Sequence, residues 1–424
     1  MAYEVTGFGA GYGSAEGIVH VFWLSGMSCD GCSVSMLGAS NPSIEDLVLD
    51  RVPELPLVVM HHPMISDESG HELMAQYAAA ADGSLGAPFI LVLEGSIPDD
   101  QALRAGSFAA MGTGADWPRG ASLNRAGNAL RVTDWVVALA PRAAASIAIG
   151  TCATWGGIPA AAGNVTGSMS LMDFLGASYR SARGIPIVNV PGCAPQGDNF
   201  TETLIAIVRS IAGLRDLPEF DELGRPAWLF DQTVHRHCPK AGYYEEGVFS
   251  EEPGDNQCLV EIGCWGPVVQ CNIVERGAIN HYGGCMVAGG ACIGCTMPGF
   301  PDKYSPFYKA PPGSAISGGV AKVTGGGIRR LRRMSMRNAN REPIWDRADD
   351  PSTAWGAVHG SQNPLEKVNA KFYKKLQYRG TVNHAVRNKL QPQPKSMDIP
   401  RQKGVDLEAS TDVLQEHVIT REEL

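Results

Sequence analysis

Cysteine placement constrains this chain more than any other feature. Its 424 residues hold 11 cysteines: four from Cys29 to Cys193, seven from Cys238 to Cys295, and none afterwards. An odd number cannot pair off into disulfides, and disulfide frameworks belong to short secreted chains. Thiols gathered this way in a long chain indicate metal binding in a reducing compartment, so a cytoplasmic location is expected. The opening stretch MAYEVTGFGAGYG has neither the basic nor the apolar region of a secretory signal. The pairs Arg329–Arg330 and Arg332–Arg333 lie too deep in the chain to act as an export signal. No apolar run reaches the roughly 18–20 residues of a spanning helix, so no transmembrane segment is expected.

Charge divides the chain. Residues 1–299 carry 14 Lys and Arg against 31 Asp and Glu, whereas residues 300–424 carry 21 against 13. The acidic body argues against a nucleic-acid partner, which needs a basic footprint. The basic tail is consistent with a solvated extension lying on acidic protein surface, or with an arm used in assembly.

Five short apolar runs organise the first half: Ile18–Leu24, Leu55–Met60, Phe89–Leu93, Ser146–Gly150 and Ile185–Val190. Each is rich in Val, Ile or other apolar residues and bounded by Gly or Pro, as buried parallel strands are. Helix-compatible stretches such as Ser66–Ala81 and Leu130–Leu139 lie between them. This alternation predicts a doubly wound α/β domain over residues 1–228, with ligands beyond the carboxyl ends of its strands. Residues 229–301 are dense in Cys, Gly, Pro and His and poor in core-forming runs, so coordination must supplement burial there. Residues 302–424 read as a polar, interrupted extension with helical pattern only near Pro364–Gln377.

The thiols follow this division. Cys29 and Cys32 form a C-x-x-C after the first strand, Cys152 follows the fourth and Cys193 the fifth. Three strand ends thus deliver four thiols to one sheet edge, each on a glycine-marked loop that lets backbone approach an inorganic core. A thioredoxin-like pair at Cys29 and Cys32 is the simpler reading of the C-x-x-C alone. The second set comprises His235, Cys238, Cys258, Cys264, Cys271, Cys285, Cys292 and Cys295, eight ligands and enough for two four-coordinate centres. Zinc suits that spacing and would make the segment a zinc-stabilised binding module. Iron–sulfur clusters account for both sets, zinc for the second only. His235 shares a helical face with Cys238 and His237 does not. His20, His61, His62 and His71 read as core or loop histidines, and Glu94 as a buried, hydrogen-bonded carboxylate, a group shaping the first site or part of a proton route. The GFGAGYG stretch at 7–13 precedes a strand rather than following one, which removes a phosphate-loop reading.

Seven ordered motifs resemble the small subunit of nickel–iron hydrogenases over roughly residues 15–310. They are WLSGMSCDGC (23–32), LEGSIP (93–98), GTCATWGGIPAA (150–161), PGCAPQGDNF (191–200), HRHCP (235–239), CLVEIGCWGP (258–267) and GACIGCTMPGFPD (290–302). The resemblance implies a flavodoxin-like domain followed by a small, irregular iron–sulfur domain, together carrying three clusters. A proximal 4Fe-4S cluster maps onto Cys29, Cys32, Cys152 and Cys193. The distal cluster, 4Fe-4S or 3Fe-4S, maps onto His235, Cys238, Cys258 and Cys264. The medial cluster, 4Fe-4S or 3Fe-4S, maps onto Cys292 and Cys295 with Cys271 and Cys285 upstream. His235 as a ligand then explains why the cysteine count is odd.

Departures from the common pattern carry information. Many members have Cys-Thr-Gly-Cys where this chain has Asp30 after Cys29. A carboxylate there could bind iron in place of Cys29, or simply cap the helix that follows. The family usually has proline seven residues before the medial C-x-x-C; here that position is Cys285. With the long tail and the absent leader, these features resemble the actinobacterial-type, oxygen-insensitive uptake branch. The implied role is electron transfer, with the nickel–iron site on a large-subunit partner and a quinone or redox protein as acceptor. A higher oligomer of heterodimers, and peripheral membrane association through partners, are expected with it. The cluster-bearing subunit of respiratory complex I is the nearest alternative, since it shares the proximal-type site.

Overall fold

The computed structural model describes residues 17–100, 106–117, 129–176, 178–280, 282–305 and 307–308. The expectations for residues 309–424 and for the 7–13 glycines therefore lie outside the described residues.

Five parallel strands build the central sheet: β1 (Ile18–Ser25), β2 (Leu57–His61), β3 (Phe89–Glu94), β6 (Ala145–Ile149) and β7 (Val188–Val190). Their order is β2-β1-β3-β6-β7, the flavodoxin-like winding in which strand order reverses beside the first strand. Ser25 pairs with Glu94, and Glu94 with Ile149, so these carboxyl ends form one edge. A small antiparallel pair, β4 (Ala110–Thr113) and β5 (Ala129–Arg131), lies apart from the sheet and was not anticipated.

Near-continuous apolar strands are required because both faces are covered. In β1, Phe22 and Leu24 enter one core with Tyr77 and Trp135, while Val21 and Trp23 enter the other with Phe200 and Leu204. β3 divides likewise, Leu91 and Leu93 against Ile90 and Val92. Burying each such side chain contributes about 1.5–3 kcal/mol, so the two faces dominate stability.

The helices α1 (Gly31–Leu37), α2 (Ile44–Val48), α3 (Gly70–Asp82), α4 (Val132–Leu139), α5 (Gly150–Trp155), α6 (Leu171–Leu175) and α7 (Gly197–Ile211) complete this layer. The helix expected from Ser66 begins later, at Gly70, because Ser66 is used otherwise: its hydroxyl bonds Met60 O and accepts from the His62 amide. The last strand is likewise shorter than Ile185–Val190, since Pro186 has no N–H to contribute to a ladder. Ser43 and Ser170 cap α2 and α6 with reciprocal bonds to Asp46 and Asp173.

Among the described residues beyond 230 the helical segments are short: Val234–His237, Ala241–Glu245, Leu259–Ile262 and Ile273–Arg276. Its apolar cluster holds ten buried residues, two of them Cys264 and Cys292, and runs through Phe300 to Tyr304. The segment is tied to the first domain by polar clamps. Asn199 and Asn272 exchange amide bonds of 2.9 and 2.7 Å, Arg276 pairs with Glu202, and Trp155 Nε1 donates to Thr296 O at 3.1 Å.

Candidate metal centres

The first site forms where the strand order reverses. β1 ends at Ser25, and after a short loop Cys29 and Cys32 flank the start of α1. β6 passes at Ile149 directly into α5, which places Cys152 in a first helical turn. β7 ends at Val190, and Cys193 lies in the loop before α7. The four thiols interact electrostatically: Cys32 with Cys29, Cys152 and Cys193, and Cys29 with Cys152 and Cys193. Two glycines make this convergence feasible. Gly150 has φ +81°, and a Cβ there would run into Cys32 Sγ. Gly157 has φ +56°, and its Cβ would lie 2.8 Å from Cys152 Sγ.

Asp30 occupies the N-cap position of α1 with φ 57°, yet its side chain makes no capping bond. The helix-capping role considered for it is therefore absent, and its exposed side chain sits beside exposed Cys29. Glu94 takes over at the base of the site. Fully buried, its Oε1 accepts from the amides of Cys32 (3.0 Å) and Ser33 (3.3 Å). Its Oε2 accepts from Trp23 Nε1 (3.0 Å) and from the Ser33 hydroxyl. His62, also buried, accepts from the Met64 amide at Nδ1, so its Nε2 donates 2.9 Å to Ser33 Oγ. His61 is buried, bonded to His20 (2.8 Å) and to Glu68 (3.1 Å), whereas His71 is exposed against Asp116. None of the four joins a thiol set.

The second segment separates into two groups. His235, Cys238, Cys258 and Cys264 line one cavity with Val234 and Lys240. His237 is instead bonded to Gln232 at 2.6 Å, in keeping with the preference for His235. Cys271, Cys285 and Cys295 lie within electrostatic reach of one another and Cys292 of Cys271 and Cys295, while Cys285 and Cys292 are also felt at Cys264, so the two groups adjoin. A recurrent turn aims the amide of residue i+2 at the cysteine sulfur: Lys240 at Cys238, Val260 at Cys258, Gly266 at Cys264, Ile273 at Cys271 and Gly294 at Cys292. Such N–H groups stabilise negative charge on sulfur.

The three groups are also tied to each other. The Thr151 hydroxyl, next to Cys152, donates to the Cys295 carbonyl, and the Cys292 amide donates to Cys264 Sγ at 3.3 Å.

Burial is the largest cause of the thiol shifts: it pushes Cys152, Cys258 and Cys271 up to about 12 and Cys295 to about 11, with neighbouring thiolates adding to it. Cys32, Cys193, Cys238, Cys264, Cys285 and Cys292 move in the same direction. Thiolates so crowded need a cation among them. Burial holds His235 down at about 4, neutral and available as a ligand. Among the described residues, no three His, Cys, Asp or Glu side chains are grouped around a single-metal position. Tetrahedral zinc would draw its sulfurs to within roughly 3.8 Å of one another, whereas an iron–sulfur core spreads its ligands over separate irons.

Sequence reading missed Ser33, Trp23 and Lys240 as neighbours of these sites. Ser33 and Lys240 stand one and two positions after a cysteine, whereas Trp23 reaches Glu94 from β1, 71 positions away, a pairing that no local pattern marks.

Residues 230–308 match the family that describes the C-terminal part of the NiFe/NiFeSe hydrogenase small subunit. Residues 29–207 match the NADH ubiquinone oxidoreductase 20 Kd subunit family. The complex I alternative thus covers the first domain and leaves 230–308 unexplained. The periplasmic [NiFeSe] hydrogenase small subunit of Desulfomicrobium baculatum is 35% identical over 320 residues, 72% of this chain and 95% of that one. The actinobacterial-type NiFe-hydrogenase from Ralstonia eutropha H16 superposes with a TM-score of 0.70 at 48% identity, covering 80% of this chain and 95% of that chain. The [NiFeSe] hydrogenase from Desulfovibrio vulgaris Hildenborough superposes at 0.58 with 34% identity, over 70% and 100% of the two chains. With both stretches of the chain matched and relatives of 34–48% identity covering 70% or more of it, the chain belongs to the small-subunit family of nickel–iron hydrogenases.

Proposed function

We propose that this chain is the electron-transfer subunit of an uptake hydrogenase, holding three iron–sulfur clusters between a large subunit and an acceptor. When bound, the clusters supply one-electron carriers; the nickel–iron site belongs to the large subunit. Cys32, Cys152 and Cys193 would hold the proximal cluster, with a fourth ligand from the Cys29–Asp30 pair. Cys271, Cys285, Cys292 and Cys295 would hold the medial cluster as 4Fe-4S, and His235, Cys238, Cys258 and Cys264 the distal one.

The observation that carries this reading is the pair of hydrogen bonds linking the groups, Thr151 beside Cys152 to the Cys295 carbonyl and Cys292 to Cys264. A zinc module needs stability from each site separately; only a relay gains from ligand sets in direct contact. The chain's own contribution is to exclude water by burial, to aim amides at sulfur, and to keep the sets adjacent.

The acceptor is a quinone or redox protein, and the heterodimer assembles further, with the basic tail as its arm. Oxygen tolerance and a cytoplasmic location with peripheral membrane association follow the actinobacterial-type resemblance. Among the described residues no helix is long and apolar enough to cross a membrane.

Iron, sulfide and zinc analysis of the purified heterodimer tests the reading. About 10–12 iron atoms per small subunit are expected from three cluster-sized ligand sets. A colourless protein holding zinc would overturn it.

A further inference from the structure

Arg225 is the one buried Lys or Arg among the described residues, with no exposed surface. A guanidinium in such a place costs several kcal/mol unless it is fully paired. Its Nε and Nη2 lie 2.8 and 2.7 Å from Asp221 Oδ2. Nη2 also donates to Gln270 Oε1, and Nη1 faces Met297 Sδ at 3.8 Å. The guanidinium carbon stands 5.2 Å from the centre of the Phe230 ring.

These partners place the charge. Gln270 immediately precedes Cys271, Met297 follows Cys295 by two residues, and Thr296 Oγ1 closes the two segments on Gln270 O at 2.8 Å. The cation therefore reaches the medial thiols from one side, and the field of Arg225 is felt at Cys271. The counter-ion lies nearer solvent: the Asp221 side chain is 11% exposed and the Arg225 side chain not at all, so the cation is the more deeply buried member of the pair.

We propose that Arg225 tunes the medial centre, its fixed cation favouring the reduced, more negative state and so raising the reduction potential there. The inference rests on the three-cluster reading above. Reduction adds one electron and one negative charge to the site, and Arg225 cannot lose its proton to cancel the effect. A lone charge within about 10 Å of the site, in an effective dielectric of about 20, is worth more than a tenfold change in equilibrium, and Asp221 takes part of it back.

The test is potential-stepped EPR on the assembled heterodimer carrying Arg225→Met, Arg225→Lys or Asp221→Asn. At the wild-type medial midpoint, Arg225→Met is expected to lower the reduced-to-oxidised ratio about tenfold, equivalent to ~59 mV for one electron. Arg225→Lys is expected to keep most of the ratio, and Asp221→Asn to raise it. Loosened packing would move both charge-removing variants the same way, so opposite signs identify electrostatics. An unchanged medial midpoint in Arg225→Met, or shifts of one sign in both variants, would overturn the proposal. Should Arg225→Met not assemble, the sign for Asp221→Asn decides: upward supports the proposal, no shift or a downward one ends it. A wild-type heterodimer without a medial signal would instead refute the three-cluster reading.

Discussion

Replacing Glu94 by Gln tests how the base of the proximal site is held. Four donors converge on this fully buried carboxylate: the amides of Cys32 and Ser33, the Ser33 hydroxyl and Trp23 Nε1. A Gln oxygen can keep the two amides, but those bonds fall from charge-assisted to neutral strength, losing about 0.5–1 kcal/mol each. The Gln NH2 then faces the Trp23 N–H, donor against donor, and the orphaned indole costs about 1–3 kcal/mol more. The sum is about 3 kcal/mol, or about 6–12 °C in the unfolding midpoint of a domain of this size. Calorimetry of the heterodimer at one scan rate reads this directly. A double-mutant cycle sharpens it: Trp23→Phe removes the orphan, so it should cost at least about 1 kcal/mol less in the Glu94→Gln background than in wild type. Strict additivity of the two substitutions would refute the proposed arrangement of donors.

Three further outcomes are expected. Gly150→Ala puts a Cβ at φ +81° against Cys32 Sγ, and should remove the proximal EPR signal while the other two persist; a variant with full iron content would contradict this. Cys285→Ala should leave a three-thiol medial set and lower iron by about one atom per chain, with a three-iron signature on oxidation. Burial, then the neighbouring His61, hold His20 at about 4 against its ordinary 6.5. Between those values the unfolded chain binds more protons, so stability falls as pH drops through the window, by about 2 kcal/mol once the full shift is discounted for solvent screening of the half-buried ring. His20→Gln should flatten the dependence of unfolding midpoint on pH between 6.5 and 4, and an unchanged slope would show that His20 does not contribute.

Much of the fold was legible because buried parallel strands have no polar alternation to obscure them: β1 and β3 read directly as apolar runs. The hairpin of β4 and β5 was not legible, since its strands are short and half-exposed. The long helix α7 left a readable signal at Phe200, Leu204, Ile207, Val208 and Ile211, all buried and spaced for one face, yet it lay in the shadow of the Cys193 motif. Helical spacing favoured His235 over His237; in the structure His235 lines a cavity with Cys238, Cys258 and Cys264, and His237 bonds Gln232. Asp30 was not, because a capping carboxylate and a free one look alike until the backbone places it at φ 57° without a capping bond.

By itself the sequence determined which residues could ligate metal, in what order, and that strand ends would carry the first four thiols. These are properties of residue type and period, and they need no third dimension. Only the tertiary structure decided which thiols meet. It brought the Thr151 hydroxyl, beside Cys152, onto the Cys295 carbonyl, set the Cys292 amide on Cys264 Sγ, and buried Arg225 against Gln270 and Met297. Those contacts join residues up to 144 positions apart along the chain. They exist because packed domains and buried polar clamps leave each group a single low-energy position, which no local pattern can encode.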